Sequence, residues 1–190
     1  MNLGTTLVRG VLGPLFVGHG TQKLFGWFGG HGLDGTGGFF ESLGLRPGRR
    51  HATGAGAAEA TGGVLLTLGA LTPVAQALIS GVMITAIRRV HLKNGPWVSD
   101  GGWEYNALII ATLFAVTDHG PGSPSVDASA FPRLHGPALA IAALAAGAAG
   151  SYLATDVLNE GEETPATGAA DVAGDPASGD GAQQGATATA

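Results

Sequence analysis

The ionisable side chains with the most capacity for chemistry lie inside apolar sequence. His19 and Lys23 occur in the run VGHGTQKLFGWF, and Glu59 occurs in GAGAAEATGGVLL among alanines and glycines. Imidazole, ammonium and carboxylate groups can exchange protons and form charged hydrogen bonds with a ligand. A charge in hydrocarbon costs at least about 2.5–3.5 kcal/mol on insertion scales, so such residues usually face a bundle interior and find partners. The sequence therefore predicts a buried polar site with acid–base capacity.

Helical geometry places these three residues at a similar depth. His19 and Lys23 share one polar stripe of a helix predicted over 3–28. Glu59 lies about 10 Å from the start of a helix predicted over 52–71, which matches that depth if the two helices are antiparallel. A Lys23–Glu59 ion pair follows from the match. Two interpretations remain open for the pair: a structural contact that locks the bundle, or a proton or ligand site.

The two residues of the first helix also have simpler interpretations. Lys23 is close enough to the end of its helix to extend its ammonium group to the membrane interface. His19 lies deeper, and a single histidine on an apolar helix is often a hydrogen-bonded core residue rather than a ligand or proton carrier. For each of these two residues, a structural and a functional interpretation therefore both remain open.

The composition indicates a membrane protein. The chain has 190 residues, of which 12% are charged and 34 are glycine, and its mean hydropathy is positive. A soluble domain carries about twice that charged fraction. Cysteine is absent, which excludes disulfides and thiolate metal sites. No nucleic-acid partner is indicated, and the first helix is expected to be retained because it lacks the pattern of a cleavable signal.

Apolar runs of membrane-spanning length predict an all-α, polytopic membrane helical bundle with five helices. A glycine-rich loop is expected over 29–51, and its segment 39–45 is expected to form a short helix lying flat at the membrane surface. The acidic, Gly- and Ala-rich tail over 156–190 cannot bury a core and is expected to be disordered. The predicted helices span 3–28, 52–71, 74–91, 104–118 and 134–153.

Further polar and aromatic residues share the depth or the inward faces of these helices. The candidate ligand-binding residues are His19, Lys23, Trp27, Glu59, His91, Trp103 and Glu104. The expected intramembrane polar partners are Arg9, Gln76 and Asp118. No catalytic residue and no metal site are assigned, and the spacing of His19 and His91 does not favour haem.

Several sequence motifs carry a family resemblance. They are RGVLGPLFVGHGTQKLFGWFGG, AAEATGG, HLKNGPW, GGWEYN and HGPGSPSVDA, which together extend over 3–128. In this combination the chain resembles the DoxX family of small prokaryotic membrane proteins. The resemblance implies a four-helix membrane bundle linked to oxidoreductase systems, including a subunit of thiosulfate:quinone oxidoreductase and a membrane partner of superoxide dismutase and a sulfurtransferase. With this resemblance the domains are expected to be 1–128 for a four-helix core, 129–155 for an additional fifth helix and 156–190 for the tail, and the last two depart from the family pattern. The family lends no established catalytic residue.

Two functional hypotheses follow. In the first, the chain is an accessory subunit of a membrane redox system and binds a quinone or similar apolar ligand between its helices, with Trp27, Phe28 and Trp103 at the entrance. In the second, it is a non-catalytic scaffold or anchor for soluble proteins, and its polar residues lock the bundle. By itself it is at most part of an oxidoreductase, because no redox centre is visible in the sequence.

The distribution of basic residues predicts the topology in the plasma membrane of a prokaryote. Six lysines and arginines lie at one set of helix ends and two at the other, so the first set is expected in the cytoplasm. The N-terminus is then outside, and a soluble redox enzyme could dock at the cytoplasmic face. The first set is Arg46, Arg49, Arg50, Arg88, Arg89 and Lys93, and the second is Arg9 and Arg133.

Overall fold

A computed structural model describes residues 2–160, and this part of the chain is helical without strands. The prediction of disorder over 161–190 lies outside the described residues. The α-helices are α1 (Leu3–Phe25), α2 (Gly32–Ser42), α3 (Gly48–Leu68), α4 (Thr72–Ala86), α5 (Glu104–His119), α6 (Val126–Ala130) and α7 (Pro137–Tyr152).

Helices α1 and α3 run antiparallel and touch through glycines. A Cβ atom on Gly20 would lie 2.5 Å from the carbonyl oxygen of Gly56, and one on Gly63 would lie 2.6 Å from the carbonyl oxygen of Gly13. Real Cβ atoms essentially never approach backbone so closely. The small residues therefore bring the two backbones into direct contact and fix the distance between side chains that bridge the helices.

The core continues from this pair through α4 to α5. Phe16 of α1, Leu66 of α3, Ile79 of α4 and Leu113 of α5 are buried in one apolar cluster. On the other side of α4, Gly81 and Gly147 allow α7 to pack closely. The core of the bundle thus consists of α1, α3, α4, α5 and α7.

The first helix is shorter than predicted, and the loop after it is largely helical. Helix α1 ends at Phe25 because Gly26 adopts a left-handed conformation, with φ 72°, and donates its N–H to the carbonyl of Gln22. Helix α2 then forms despite its glycines, each of which costs about 1 kcal/mol relative to alanine. Packing against α3 overrides this cost: Gly37 is buried there, and the Gly48 N–H donates to the Glu41 side chain.

Two of the core helices, α4 and α7, extend beyond their α-helical parts. Helix α4 continues into a π-helical turn, Ile87–His91, and α7 continues into another, Leu153–Val157. The segment Pro137–Val157 is, among the described residues, the one helix long and apolar enough to cross a membrane by length and composition. The prediction of disorder from 156 is wrong for residues 156–160, which make defined contacts: the Glu160 N–H donates to the carbonyl of Arg46.

Candidate functional site

A buried ion pair joins α1 to α3. Lys23 Nζ lies 2.6 Å from Glu59 Oε2, and the exposed fractions of the two side chains are 24% and 4%. The glycine contact between the helices, made by Gly20 and Gly56 among others, brings the backbones close enough for the two side chains to meet. The Lys23–Glu59 pair predicted from matching depths is therefore present.

Loss of either partner of this ion pair would be costly, because the pair is largely buried. Taking a carboxylate out of water costs several kcal/mol, and the attraction of a well-placed cation offsets most of that cost. Glu59 is buried, whereas Lys23 remains partly accessible. The ammonium group is therefore the accessible side of the pair. One of the remaining N–H groups of Lys23 could donate a hydrogen bond to a ligand oxygen there.

His19 lies one helical turn before Lys23, on the accessible side of α1. Its Nδ1 is 3.2 Å from Gln22 Oε1, and its ring meets the buried Phe16 ring edge to face, with centroids 6.1 Å apart. It also interacts electrostatically with Glu59. Its ring is exposed, so it is not a core histidine enclosed by its own hydrogen bonds. His19, Lys23 and Glu59 together form what we call the polar site.

His91 and Glu104 do not hydrogen-bond to the polar site, contrary to the single cluster expected from their depth. His91 Nδ1 is 2.7 Å from the carbonyl oxygen of Gly101, and Glu104 Oε1 accepts the Val98 N–H at 2.7 Å. Both side chains therefore hold together the loop that leads into α5. Equal depth along two helices does not determine whether side chains point at each other, and the turn-rich sequence NGPWVSDGGW was the available signal for this role.

The predicted entrance aromatics lie near the end of the bundle that carries Lys23. Trp27 contacts Phe25 and Phe28, with ring centroids 5.3 Å and 6.4 Å away, and all three rings are exposed. Trp103 is half-buried at the start of α5 and donates its backbone N–H to the carbonyl of Gly95. Exposed tryptophans at helix ends are typical of a membrane–water interface.

Arg9 belongs to a separate cluster at the opposite end of the bundle. Its guanidinium group donates to the carbonyl oxygens of Leu66 and Thr67 at the end of α3. It also donates to the carbonyls of Pro121 and Pro124 in the loop after α5. A cation is favoured at a helix C-terminus, and this arrangement pins the loop to α1 and α3.

Asp127 completes this cluster and was not anticipated from the sequence. Its carboxylate accepts the backbone N–H groups of Leu71 and Thr72 at 2.8 Å each, together with the Thr72 hydroxyl at 2.6 Å. Asp127 thereby caps the start of α4 and interacts electrostatically with Arg9. No local pattern could have revealed this role, because more than fifty residues separate the cap from its helix.

The remaining predicted polar partners are also away from the polar site. The Gln76 amide donates to the carbonyl oxygen of Ala140 at 2.9 Å and joins α4 to α7. Asp118 lies at the end of α5 opposite to Glu104, and its carboxylate is 3.5 Å from His119 Nδ1. Neither residue shares an interaction with Lys23 or Glu59 among the described residues.

A groove of about 290 Å³ lies between α1 and α5. Apolar side chains of α1 from Leu7 to Leu12 form one wall, and α5 from Leu108 to Thr112 forms the other. Tyr105 lines the groove near the beginning of α5, at the same end of the bundle as Lys23. The groove is therefore almost wholly apolar and opens on the side of the bundle.

The fold and the site define a small helical bundle whose helices approach through glycines and enclose an ion pair. The chain belongs to the DoxX family, as the sequence motifs indicated. The family model, DoxX, matches residues 4–92, from α1 to the end of the π-helical turn after α4.

A curated relative supports the same assignment. The protein named "Putative oxidoreductase CatD", from Bacillus subtilis (strain 168), is 32% identical over 115 residues, which cover 60% of this chain and 79% of the relative. No solved structure matches this chain.

Proposed function

We propose that this DoxX-family protein crosses the membrane with all five core helices. The outward faces of these helices are apolar: Leu7 and Leu15 on α1, Val64 on α3, Leu108 on α5 and Ile141 on α7 are exposed. In water such a surface would favour aggregation, whereas in a bilayer it contacts lipid. Glycine and the buried charges lower the hydropathy of α1 and α3, and α4 and α5 have only 15 and 16 residues. Among the described residues, Pro137–Val157 is therefore the one helix that is long and apolar enough to cross a membrane by length and composition.

The proposed location is the plasma membrane of a prokaryote. In the proposed topology the N-terminus lies outside the cell, and the helix ends that carry the basic residues lie in the cytoplasm. Because α7 is antiparallel to α5, it returns the chain to the basic end. There Arg88 Nη2 lies 2.9 Å and Arg89 Nη2 3.1 Å from the Asp156 carboxylate. The side chain of Asn159 also accepts the Arg46 N–H at 2.6 Å. These contacts support a cytoplasmic position for the start of the tail.

The function that the site supports best is that of an accessory subunit of a membrane redox system, binding a quinone-like ligand at the polar site. The observation that carries it is the Lys23–Glu59 pair, which is buried on one side, accessible on the other and adjacent to His19. Charged residues within a membrane bundle commonly mark ligand or proton pathways. The relative's name as an oxidoreductase agrees with this assignment.

Each residue has a defined role in this proposal. Lys23 donates a hydrogen bond to a ring carbonyl oxygen, Glu59 holds the ammonium group in place, and His19 exchanges protons with the ligand. Conversion of a quinone to a quinol takes up two electrons and two protons. These side chains handle protons but not electrons, so a soluble redox enzyme docked at the cytoplasmic face supplies the electrons.

The proposal is tested by purifying the protein from membranes in a mild detergent and identifying the small molecules that co-purify. We expect a quinone in the wild type at close to one per chain and much less in Glu59→Gln, which removes the charge while preserving size. A wild-type protein that retains no quinone and binds none when it is added would contradict the proposal.

A scaffold function is the alternative, and one observation favours it. The loop between α4 and α5 is fixed by the hydrogen bonds of His91 and Glu104, yet it exposes Trp97 and Val98. A rigid loop with exposed apolar side chains suits contact with another protein. Stoichiometric co-purification of one defined enzyme, lost in Trp97→Ala and unaffected by Glu59→Gln, would favour this alternative.

A further inference from the structure

The groove between α1 and α5 lies along the same face of α1 that carries His19 and Lys23 of the polar site. At 100° per residue, His19 and Lys23 each project within about 20° of Leu12, which lines the groove. They lie about 10 Å and 16 Å further along the helix at 1.5 Å per residue. One face of α1 therefore presents an apolar stretch followed by polar groups, in the direction of the cytoplasmic end.

The groove has the size of a hydrocarbon chain segment. Its volume of about 290 Å³ is at the lower end of the range of roughly 300–1,000 Å³ that is typical of ligand pockets. Thr112 adds little polarity, because its hydroxyl donates to the carbonyl of Leu108 at 2.7 Å. An occupant must therefore be narrow and apolar along the groove, with its polar end towards the polar site.

We propose that this groove binds the isoprenoid tail of the quinone whose ring is held at the polar site. The inference rests on the function proposed above and specifies the ligand class: a lipid-soluble quinone with a long tail, which enters sideways from the bilayer between α1 and α5. Tyr105, at the cytoplasmic end of the groove, lies where the tail joins the ring. The tail then adds affinity in proportion to the apolar area that it buries.

The charge of the polar site favours a quinone over a phospholipid as the occupant. Lys23 and Glu59 form a pair without net charge, which suits a neutral ring carbonyl. A phospholipid in the same orientation would bring its anionic phosphate to the Lys23 ammonium, whose charge Glu59 already neutralises, so the pair offers the phosphate no net attraction. A retained phospholipid is therefore an outcome that would overturn the assignment.

The test compares two quinones with the same ring, one with a long isoprenoid tail and one with a single short substituent. Their dissociation constants are measured on the full chain in one detergent at a fixed micelle concentration. The variant Leu12→Trp fills the groove, and Leu15→Trp is the matched control, because Leu15 lies on the same helix, is exposed and does not line the groove. Thr112→Phe fills the groove from α5 if Leu12→Trp fails to fold.

For the wild type and Leu15→Trp, we expect the long-tailed quinone to bind at least about tenfold more tightly than the short one. In Leu12→Trp and Thr112→Phe the two affinities should become similar, with short-tail binding unchanged. Equal affinities in the wild type, equal behaviour of the two tryptophan variants, or a phospholipid in the groove would overturn this inference while leaving quinone binding at the polar site intact. If neither quinone binds the wild type, the proposed function fails as well.

Discussion

Lys23 Nζ and Glu59 Oε2 are 2.6 Å apart, across an interface between α1 and α3 that is built from glycines. The glycines set the distance between the backbones, and the ion pair bridges the two helices at one side of the interface. In the proposed function, stability and ligand binding depend on the same few contacts, and the two effects can be separated by substitutions that remove size, charge or both.

Loss of the Glu59 carboxylate should damage the protein more than loss of the Glu104 carboxylate. Glu59→Ala leaves Lys23 without its partner in a largely buried place, which costs about 3–5 kcal/mol. Glu104→Ala removes a hydrogen bond to Val98 on the surface, worth about 1 kcal/mol. Thermal unfolding of the two variants in the same detergent, together with their membrane yields, measures the difference. Equal midpoints and equal yields would count against a buried pair.

Two glycines of α3 should respond oppositely to substitution by alanine. Gly63→Ala places a methyl group against the backbone of α1 and should cost about 1–3 kcal/mol through overpacking. Gly54→Ala meets nothing within 4 Å and should be neutral or stabilising by up to about 1 kcal/mol, because alanine is the better helix former. Thermal unfolding of the pair is the measurement. Similar destabilisation by both would show that α1 and α3 do not touch through this face.

The cap on α4 should be sensitive to Asp127. Asp127→Ala strands the N–H groups of Leu71 and Thr72, and each unsatisfied buried donor costs roughly 1–3 kcal/mol. Asp127→Asn, which retains one acceptor oxygen, should lose less, and Asp118→Ala should be close to the wild type. Unfolding midpoints provide the comparison, and a wild-type midpoint for Asp127→Ala would rule out the cap.

Reporter fusions should place the basic loop and the C-terminus on the same side of the membrane. A reporter inserted between Arg46 and Arg50 and another fused after the last residue are both expected to be cytoplasmic, because α7 returns the chain to the basic end. An external loop would reverse the proposed orientation. A cytoplasmic loop with an external C-terminus would mean that α7 does not cross the bilayer.

The sequence was sufficient to predict the core helices and the Lys23–Glu59 pair. Apolar runs and the depth of a residue along its helix can both be read directly from positions in the sequence. It was insufficient for α2, whose glycines have low intrinsic helix propensity and which gains its stability from packing on α3. It did not predict the hydrogen bonds that His91 and Glu104 make with the loop before α5, since depth along a helix says nothing about the direction in which a side chain points. The capping role of Asp127 was not predicted, because its partners Leu71 and Thr72 are distant in the chain.

The affinity of the purified protein for a quinone, compared among the wild type, Glu59→Gln and Glu104→Gln, tests the role of the polar site most directly. Glutamine preserves size at both positions, so a difference reports on the charge and its contact with Lys23. The account predicts that Glu59→Gln weakens binding at least about tenfold, equivalent to 1.4 kcal/mol, while Glu104→Gln stays within about twofold of the wild type. Equal affinities in all three proteins would contradict it.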